Sequence, residues 1–345
     1  MDNNNNTQAQ YDKISIALAE KAGKNPVLLL ISGGVDSTVL AALLLKVLGS
    51  EQVHLMYMDT GLMRKDETVY VKKTLEQLGA KNIHIINCEK DFLDSLKGIA
   101  DPEQKRKIIG DLFIKIQEQE ASRLGLPDNY FLAQGTIYPD IIESGKPGEA
   151  ASGEANGKSD SKIGLVKSHH NVGSPLVEAK RRAGRILEPF AEFYKDDVRS
   201  LGLFLGMDRE IVFRHPFPGP GLAVRILGEV TKEKCDILRE ADAIYIEELK
   251  KRKTKTGKSL YDEIWQAFAV LLPVQSTGVI DAKRQYGWVL ALRAITSTDA
   301  MTARAYAFEA GDILEISSLI TASVKEIGRV VYDVSDKPPA TIEWE

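Results

Sequence analysis

The sequence has few cysteines and no long apolar run, and each scarcity excludes a class of protein. Only two cysteines, Cys88 and Cys235, occur among 345 residues, too few for a thiolate metal cage and typical of a reducing compartment such as the cytoplasm. The segment INCEKDF around Cys88 lacks the flanking glycines of a nucleophile elbow, so this chain is not expected to hydrolyse glutamine by itself. The longest apolar runs, near Leu28 and Leu43, are too short to span a bilayer, so no membrane association is expected.

Excess positive charge is also missing. The net charge is -4, which argues against a broad nucleic-acid-binding surface. The first residues, MDNNNNTQAQ, contain neither a basic region nor an apolar core, so no secretory signal is visible, and residues 1–12 are expected to be a disordered lead-in. The remaining composition is ordinary, with 43% apolar and 27% charged residues, and the length suits two domains.

Strand-like and helical patterns alternate in the first half of the chain. This alternation predicts an α/β fold, a doubly wound, mostly parallel sheet that binds its ligand at the carboxyl ends of the strands. The predicted strands are Val27–Ile31, Val53–Met58, Ile83–Ile86 and Phe131–Gln134.

Two changes of composition divide the chain. From Ser144 the sequence becomes rich in Gly, Ser and Ala, which predicts a flexible lid over about 144–180. The segment HPFPGPGL is a stiff, non-helical connector, so we predict a nucleotide-binding domain over 13–215 and a smaller α/β domain over 216–345. Helix is expected at Lys232–Lys250 and from Ile313, with strands at Ala267–Val274 and Trp288–Ile295.

The segment LLLISGGVDSTV carries the clearest chemistry. A buried strand stops at Ser32, and Gly33 and Gly34 precede a new apolar helix, so backbone N–H groups at the helix start could bind an anion. The lysine of the usual phosphate loop is missing, and Asp36 would repel a bare phosphate. A Mg²⁺ ion between carboxylate and phosphate removes that conflict. The alternative is a simple helix N-cap, which does not require Ser-Gly-Gly in front of it.

These residues give the chain a family resemblance. Ser32 to Ser37 resemble the pyrophosphate-binding loop of the ATP pyrophosphatases, which cleave ATP between its α and β phosphates. The segments LAQGTIYPDIIES, KSHHNVG, RHPFPGPGLAVRILGEVT and SDKPPATIEWE together resemble the synthetase half of the GMP synthetases, from about Pro26 to Glu345. The resemblance implies that the C2 oxygen of XMP attacks the α-phosphate of ATP, and that ammonia then displaces AMP to leave GMP.

The resemblance also implies roles for residues. In the ATP site they are Ser32, Gly33, Gly34, Val35, Asp36, Ser37, Thr38, Asp59 and Gly135. Metal binding would involve Asp36, Asp140 and Glu143, the lid would carry Lys167, His169 and His170, and Asp36 and Lys167 would be catalytic. XMP would be bound by Arg106, Gln266, Lys337, Glu343 and Asp281, the last of which is displaced from the usual family pattern. A zinc site at the adjacent histidines is disfavoured, because no acidic or thiol partner has ligand spacing.

The resemblance implies partners as well. A homodimer through the second domain and a separate glutaminase subunit that supplies ammonia are expected. Two alternatives stay open: an enzyme like NAD synthetase, which would not account for HPFPGPGL and KPPATIEWE, and a non-catalytic nucleotide-sensing or glutaminase-docking module. A tRNA-thiolating enzyme would require a cysteine pair and a basic face, and both are missing.

Overall fold

A computed structural model describes residues 2–138, 174–280, 283–298 and 300–345. The helices are α1 Asp2–Ala22, α2 Val35–Leu48, α3 Glu67–Gln77, α4 Glu89–Leu96, α5 Pro102–Arg123, α6 Pro175–Arg182, α7 Lys195–Phe204, α8 Arg209–Val212, α9 Lys232–Lys251, α10 Leu260–Glu263 and α11 Ala310–Ser323, with a 3-10 turn at Gly221–Val224. The strands are β1 Val27–Ile31, β2 Val53–Asp59, β3 Asn82–Asn87, β4 Phe131–Ala133, β5 Ile186–Leu187, β6 Gln266–Ile280, β7 Lys283–Thr296, β8 Arg304–Ala305 and β9 Ile327–Tyr332.

The chain forms two compact units, and both are built from separate segments. The first contains residues 1–57, 71–85 and 113–214, and the second contains residues 58–70, 86–112 and 215–345. No helix in the described ranges combines the length and the apolar content needed to cross a membrane.

The first unit is organised around a five-stranded sheet of order β3-β2-β1-β4-β5. The central strand β1 pairs in parallel with β2 and with β4, and β4 pairs in parallel with β5. Because the order reverses at β1, the sheet is doubly wound, which confirms the predicted fold class. The run Val27–Ile31 is aliphatic throughout because both faces of this strand are covered.

Residues 1–12 differ from the sequence-based expectation. Residues 2–12 are helical, within a helix that runs from Asp2 to Ala22, and do not form the expected disordered lead-in. The reason is an apolar stripe at a spacing of four residues: Ile14, Leu18 and Ala22 are all buried. Tyr11 also packs against Phe204, with ring centroids 5.4 Å apart. The helix was not predicted because its first turns are rich in asparagine, whereas the buried apolar side chains named here lie in its later turns.

The second unit contains a mostly antiparallel sheet. The long strands β6 and β7 form an antiparallel pair, β8 adds to β7, and β9 lies parallel to β7 on its other side. Both long strands extend beyond the predicted Ala267–Val274 and Trp288–Ile295. Pairing shifts register between Leu271 and Gln275, where Pro273 interrupts the ladder. The predicted helix at Lys232–Lys250 is confirmed as α9.

Close backbone packing in the second unit requires Gly221. This residue has φ +65°, and a Cβ placed on it would lie 2.3 Å from the carbonyl oxygen of Leu62. That same oxygen accepts a hydrogen bond of 2.7 Å from the N–H of Leu222. Gly221, the second glycine of HPFPGPGL, therefore lets the segment after β2 approach the 3-10 turn.

The buried side chain of His215 is expected to make the free energy of unfolding fall in acid. Its Nδ1 accepts from the N–H of Ala267 at 3.1 Å, and its Nε2 donates to the carbonyl of Tyr261 at 2.9 Å. The neutral ring is thus fully satisfied, and burial lowers the pKa of His215 from 6.5 to about 4. Because the folded pKa lies below the unfolded one, this stability is present above pH 6.5 and is lost as the pH falls toward 4, by about 3 kcal/mol.

Urea unfolding between pH 7 and pH 4 measures this loss. His215→Gln should be less stable than wild type at pH 7 but should lose less free energy of unfolding across the interval. Since carboxylates titrate identically in both proteins, the difference between the two pH slopes isolates the histidine. Equal slopes would exclude His215 as the acid-sensitive group.

Candidate active site

The loop after β1 presents a helix N-terminus with no side-chain cap. Helix α2 begins at Val35, and its N-cap is Gly34, which has no side chain to accept from the first N–H groups of the helix. Gly33 has φ +78°, a conformation that costs a residue with a Cβ about 1–2 kcal/mol. The first N–H groups of any α-helix lack intrahelical partners, so this end can bind an anion. The alternative of an ordinary side-chain cap is therefore wrong.

Hydroxyl groups brace this loop from inside. Ser37 Oγ donates to the carbonyl of Gly34 at 3.1 Å and accepts from the N–H of Ser32 at 3.2 Å. Ser32 Oγ accepts from the N–H of Gly34 at 3.2 Å, and Thr38 Oγ1 donates to the Gly34 carbonyl at 2.8 Å. Because these hydroxyls hold the loop shape, the groups left to contact an anion are backbone N–H groups.

Gly135 lies directly against the loop. A Cβ added to it would be 3.3 Å from the carbonyl carbon of Asp36 and 3.4 Å from the nitrogen of Ser37. This residue follows β4, the neighbour of β1 in the sheet. Gly135 is thus close to the backbone of Asp36 and Ser37, and its predicted role in binding ATP stays a prediction.

Two cations that the sequence analysis did not single out contact the loop. Lys195, the first residue of α7, donates to both carboxylate oxygens of Asp36 at 2.7 Å. Arg214 Nη1 donates to the carbonyl of Gly33 at 3.3 Å. The lysine required by the usual phosphate loop is missing from the motif, but a lysine 159 residues away in sequence reaches the same loop.

Asp59 belongs to the second unit, and its carboxylate closes a local turn. Oδ1 accepts from the N–H of Gly61 at 3.1 Å, and Oδ2 accepts from Thr68 Oγ1 at 2.6 Å. These bonds fix the side chain at the carboxyl end of β2. Its role toward ATP stays a prediction.

The residues predicted to bind XMP are only partly brought together. Gln266 Nε2 donates to Glu343 Oε1 at 2.9 Å. Arg106 pairs with Glu103 on its own helix, and Lys337 Nζ donates to the carbonyl of Ala300 at 2.8 Å. Arg225 donates two hydrogen bonds to the Glu343 carboxylate. It lies in the segment RHPFPGPGLAVRILGEVT, but no role was predicted for it.

Several predicted site residues lie outside the described residues: Asp140, Glu143, Lys167, His169, His170 and Asp281. Their roles stay predictions. Among the described residues, no group of three or more His, Cys, Asp or Glu side chains could hold a metal ion.

Two family models match separate parts of the chain. Residues 253–344 match the GMP synthase C-terminal domain, and residues 15–105 match the asparagine synthase family. A glutamine-hydrolysing GMP synthase of Bdellovibrio bacteriovorus is 50% identical over 319 residues, which are 92% of this chain and 58% of that protein. Its counterpart in Bartonella bacilliformis is 48% identical over 344 residues, 99% of this chain and 62% of that protein. The chain thus spans about three fifths of the length of these curated relatives.

Proposed function

We propose that the chain is a C–N ligase that aminates XMP to GMP, because residues 253–344 match the GMP synthase C-terminal domain and residues 15–105 match the asparagine synthase family. ATP is the co-substrate, and AMP and pyrophosphate are the other products. The observation that carries this proposal is the cradle for an anion at the start of α2, with Lys195 bound to Asp36 beside it. The family match at residues 253–344 favours this activity over that of NAD synthetase.

Two displacements make up the proposed reaction. The C2 oxygen of XMP forms a bond to the α-phosphorus of ATP, and the bond to the β-phosphate oxygen breaks to release pyrophosphate. Ammonia then attacks C2, the bond from C2 to the adenylyl oxygen breaks, and AMP leaves with that oxygen while a proton is lost from nitrogen. Catalysis by the protein is mainly positioning and charge neutralisation.

The residues around the α2 N-terminus suit the leaving pyrophosphate. Backbone N–H groups of the first turn of α2 would bind phosphate oxygens, and Gly33 and Gly135 keep side chains out of their way. Lys195 and Arg214 add positive charge next to that turn. Lys167, His169 and His170 are proposed to add further charge and contacts from the lid.

Mg²⁺ is proposed as the cofactor, and Asp36 fits it as a carboxylate ligand. Its side chain is 26% exposed, and both of its oxygens already bind a cation, Lys195. When bound, Mg²⁺ would neutralise phosphate charge and strengthen pyrophosphate as a leaving group. Asp36 would hold it, and Lys195 would then be available to donate to phosphate oxygens. Asp140 and Glu143 are proposed as further ligands.

XMP is proposed to bind in the second unit. Glu343, held at the surface of this unit with 20% of its side chain exposed, would accept a hydrogen bond from a purine N–H, with Gln266 beside it. Arg106 and Lys337 would neutralise the monophosphate, for which each must exchange its present partner. Asp281 completes the proposed set.

Ammonia is proposed as the immediate nitrogen donor, supplied by a separate glutaminase subunit. A thiol glutaminase requires an accessible thiolate. Cys88 and Cys235 are both buried, and burial raises the pKa of Cys235 to about 12, so neither can attack glutamine. Two free thiols also support the cytoplasm as the location.

A homodimer through the second unit is also proposed. Large apolar side chains there are exposed, including Leu314 on α11 at 66% and Val334 after β9 at 73%. Apolar side chains that are exposed in a single chain are often covered at a subunit interface. A second copy of the chain is the proposed occupant, and sedimentation of the purified protein would test it.

Pyrophosphate release from ATP and Mg²⁺ tests the proposed function. With XMP present, ammonium should support release and conversion to GMP, whereas glutamine should not. IMP, which lacks the C2 oxygen, serves as the control substrate and should give no release above background. If ammonium fails to support XMP-dependent release, the synthetase proposal is wrong and the alternative of a nucleotide-sensing module is favoured.

A further inference from the structure

Arg225 is a fully buried cation that grips one carboxylate. It follows the 3-10 turn Gly221–Val224 and has no exposed surface. Its Nε donates to Glu343 Oε2 at 3.0 Å, and its Nη2 donates to Glu343 Oε1 at 2.8 Å. Such a two-pronged pair fixes the direction of the carboxylate as well as its charge.

Aromatic rings fix the guanidinium plane in turn. The Arg225 Cζ lies 4.1 Å from the ring centroid of Phe268 and 4.9 Å from that of Phe217. Its Nη1 is buried and has no hydrogen-bond partner in the described part of the chain. Arg225 is therefore held in a single geometry even though one of its donor groups goes unused.

The two bonds from Arg225 leave part of the hydrogen-bonding capacity of Glu343 available. A carboxylate has about four acceptor positions. Oε1 accepts from Arg225 and from Gln266, and among the described residues Oε2 accepts only from Arg225. One position on Oε2 therefore remains, on a side chain that is 20% exposed. Arg225 thus determines which way the remaining acceptor points.

Stability alone does not account for this arrangement. Replacing a buried ion pair by apolar side chains is often neutral or stabilising, and an unused buried donor adds a further cost. A requirement for a directed acceptor on Glu343 accounts for an ion pair that is kept despite this cost.

We propose that Arg225 is a positioning residue for the purine substrate, fixing Glu343 so that its remaining acceptor position on Oε2 receives a ring N–H. This inference rests on the proposed function, in which Glu343 binds XMP. Arg225 acts through Glu343 and does not itself contact the substrate.

A double-mutant cycle tests whether Arg225 acts through Glu343. Arg225→Lys keeps the charge but loses the two-pronged geometry, and it should raise KM for XMP about tenfold, with KM for ATP changed less than about twofold. Glu343→Ala should also raise KM for XMP. In the Glu343→Ala background, Arg225→Lys should change KM for XMP by less than about twofold, because there is no carboxylate left to direct.

Two further variants separate positioning from folding. Arg225→Met places an apolar side chain between the two rings. It should also raise KM for XMP when Glu343 is present and change it less than about twofold in the Glu343→Ala background. Its thermal unfolding is measured in parallel. Arg252→Lys is the matched control, since Arg252 pairs with Glu248 and Asp312 and has no bond to Glu343, so KM for XMP should not change.

Each outcome decides the inference. Equal factors for Arg225→Lys in both backgrounds, or an unchanged KM for XMP in Glu343→Ala, would overturn it while leaving the synthetase activity established. Loss of the thermal transition in both Arg225 variants would also overturn it in favour of a structural role. If wild type shows no XMP-dependent pyrophosphate release, the proposed function fails first and this inference fails with it.

Discussion

Replacing Lys195 by alanine is expected to lower XMP-dependent pyrophosphate release at least about 100-fold, the usual scale for removing one charged group that stabilises a transition state. Lys195 binds the Asp36 carboxylate at the start of α2. We propose that it stabilises the negative charge that develops on the leaving pyrophosphate. Without it, Asp36 would face the phosphates with an unbalanced negative charge. Steady-state release with ammonium and XMP at saturation measures the effect.

Lys195→Arg keeps the charge and should retain more activity than Lys195→Ala. Lys13→Ala is the matched control, because Lys13 also forms an ion pair with a carboxylate, Glu192, but both side chains are largely exposed. The thermal midpoint of Lys195→Ala should change little, since partly exposed ion pairs contribute at most about 1 kcal/mol. A rate within threefold of wild type would remove Lys195 from the proposed machinery.

Gly221→Ala is expected to lower the free energy of unfolding by about 4 kcal/mol, at the upper end of single substitutions. Two effects add: the left-handed backbone at φ +65°, and a Cβ that would lie 2.3 Å from the Leu62 carbonyl oxygen. That oxygen is held by its bond from Leu222, so it cannot retreat without losing a hydrogen bond. Urea unfolding at pH 7 measures the loss.

Gly257→Ala separates the two effects. Gly257 has a similar φ of +83°, but a Cβ there would have no heavy atom within 4 Å. Its cost should therefore be only the strain of the backbone, about 1–2 kcal/mol. Equal losses in the two variants would show that the contact with Leu62 relaxes freely.

The sequence predicted the first sheet well because its strands are continuous aliphatic runs bounded by turns. Val27–Ile31 is observed with its predicted bounds, and Val53, Ile83 and Phe131 lie in strands as expected. The long hairpin β6–β7 was predicted too short, because its outer halves carry polar residues that only pairing makes strand-like. Residues 2–12 are helical although disorder was expected, because that expectation rested on their composition and not on the stripe of Ile14, Leu18 and Ala22 farther along the same helix.

The candidate site was predicted only where its residues are contiguous. Ser32 to Thr38 form a motif, so their shared role could be read directly. Lys195 could not be found that way, since nothing local distinguishes it from other lysines and it meets Asp36 only through the fold. Arg225 was visible inside a recognised segment, but its partner Glu343 is 118 residues away, and burial rather than residue type sets its role.

The interleaving of the second unit has a consequence for the order in which the protein is made. Lys105, from α5, is fully buried and donates to the carbonyls of Ala223 and Ile226 and to the Glu345 carboxylate, which lies 240 residues later in sequence. During synthesis this ammonium group has none of those partners until residues far down the chain emerge. The last segment of the first unit ends at residue 214, whereas the second unit extends to residue 345, so we expect the first unit to fold earlier during synthesis. In ribosome-stalled chains of increasing length, residues 1–57 should therefore become resistant to protease at a shorter length than residues 86–112.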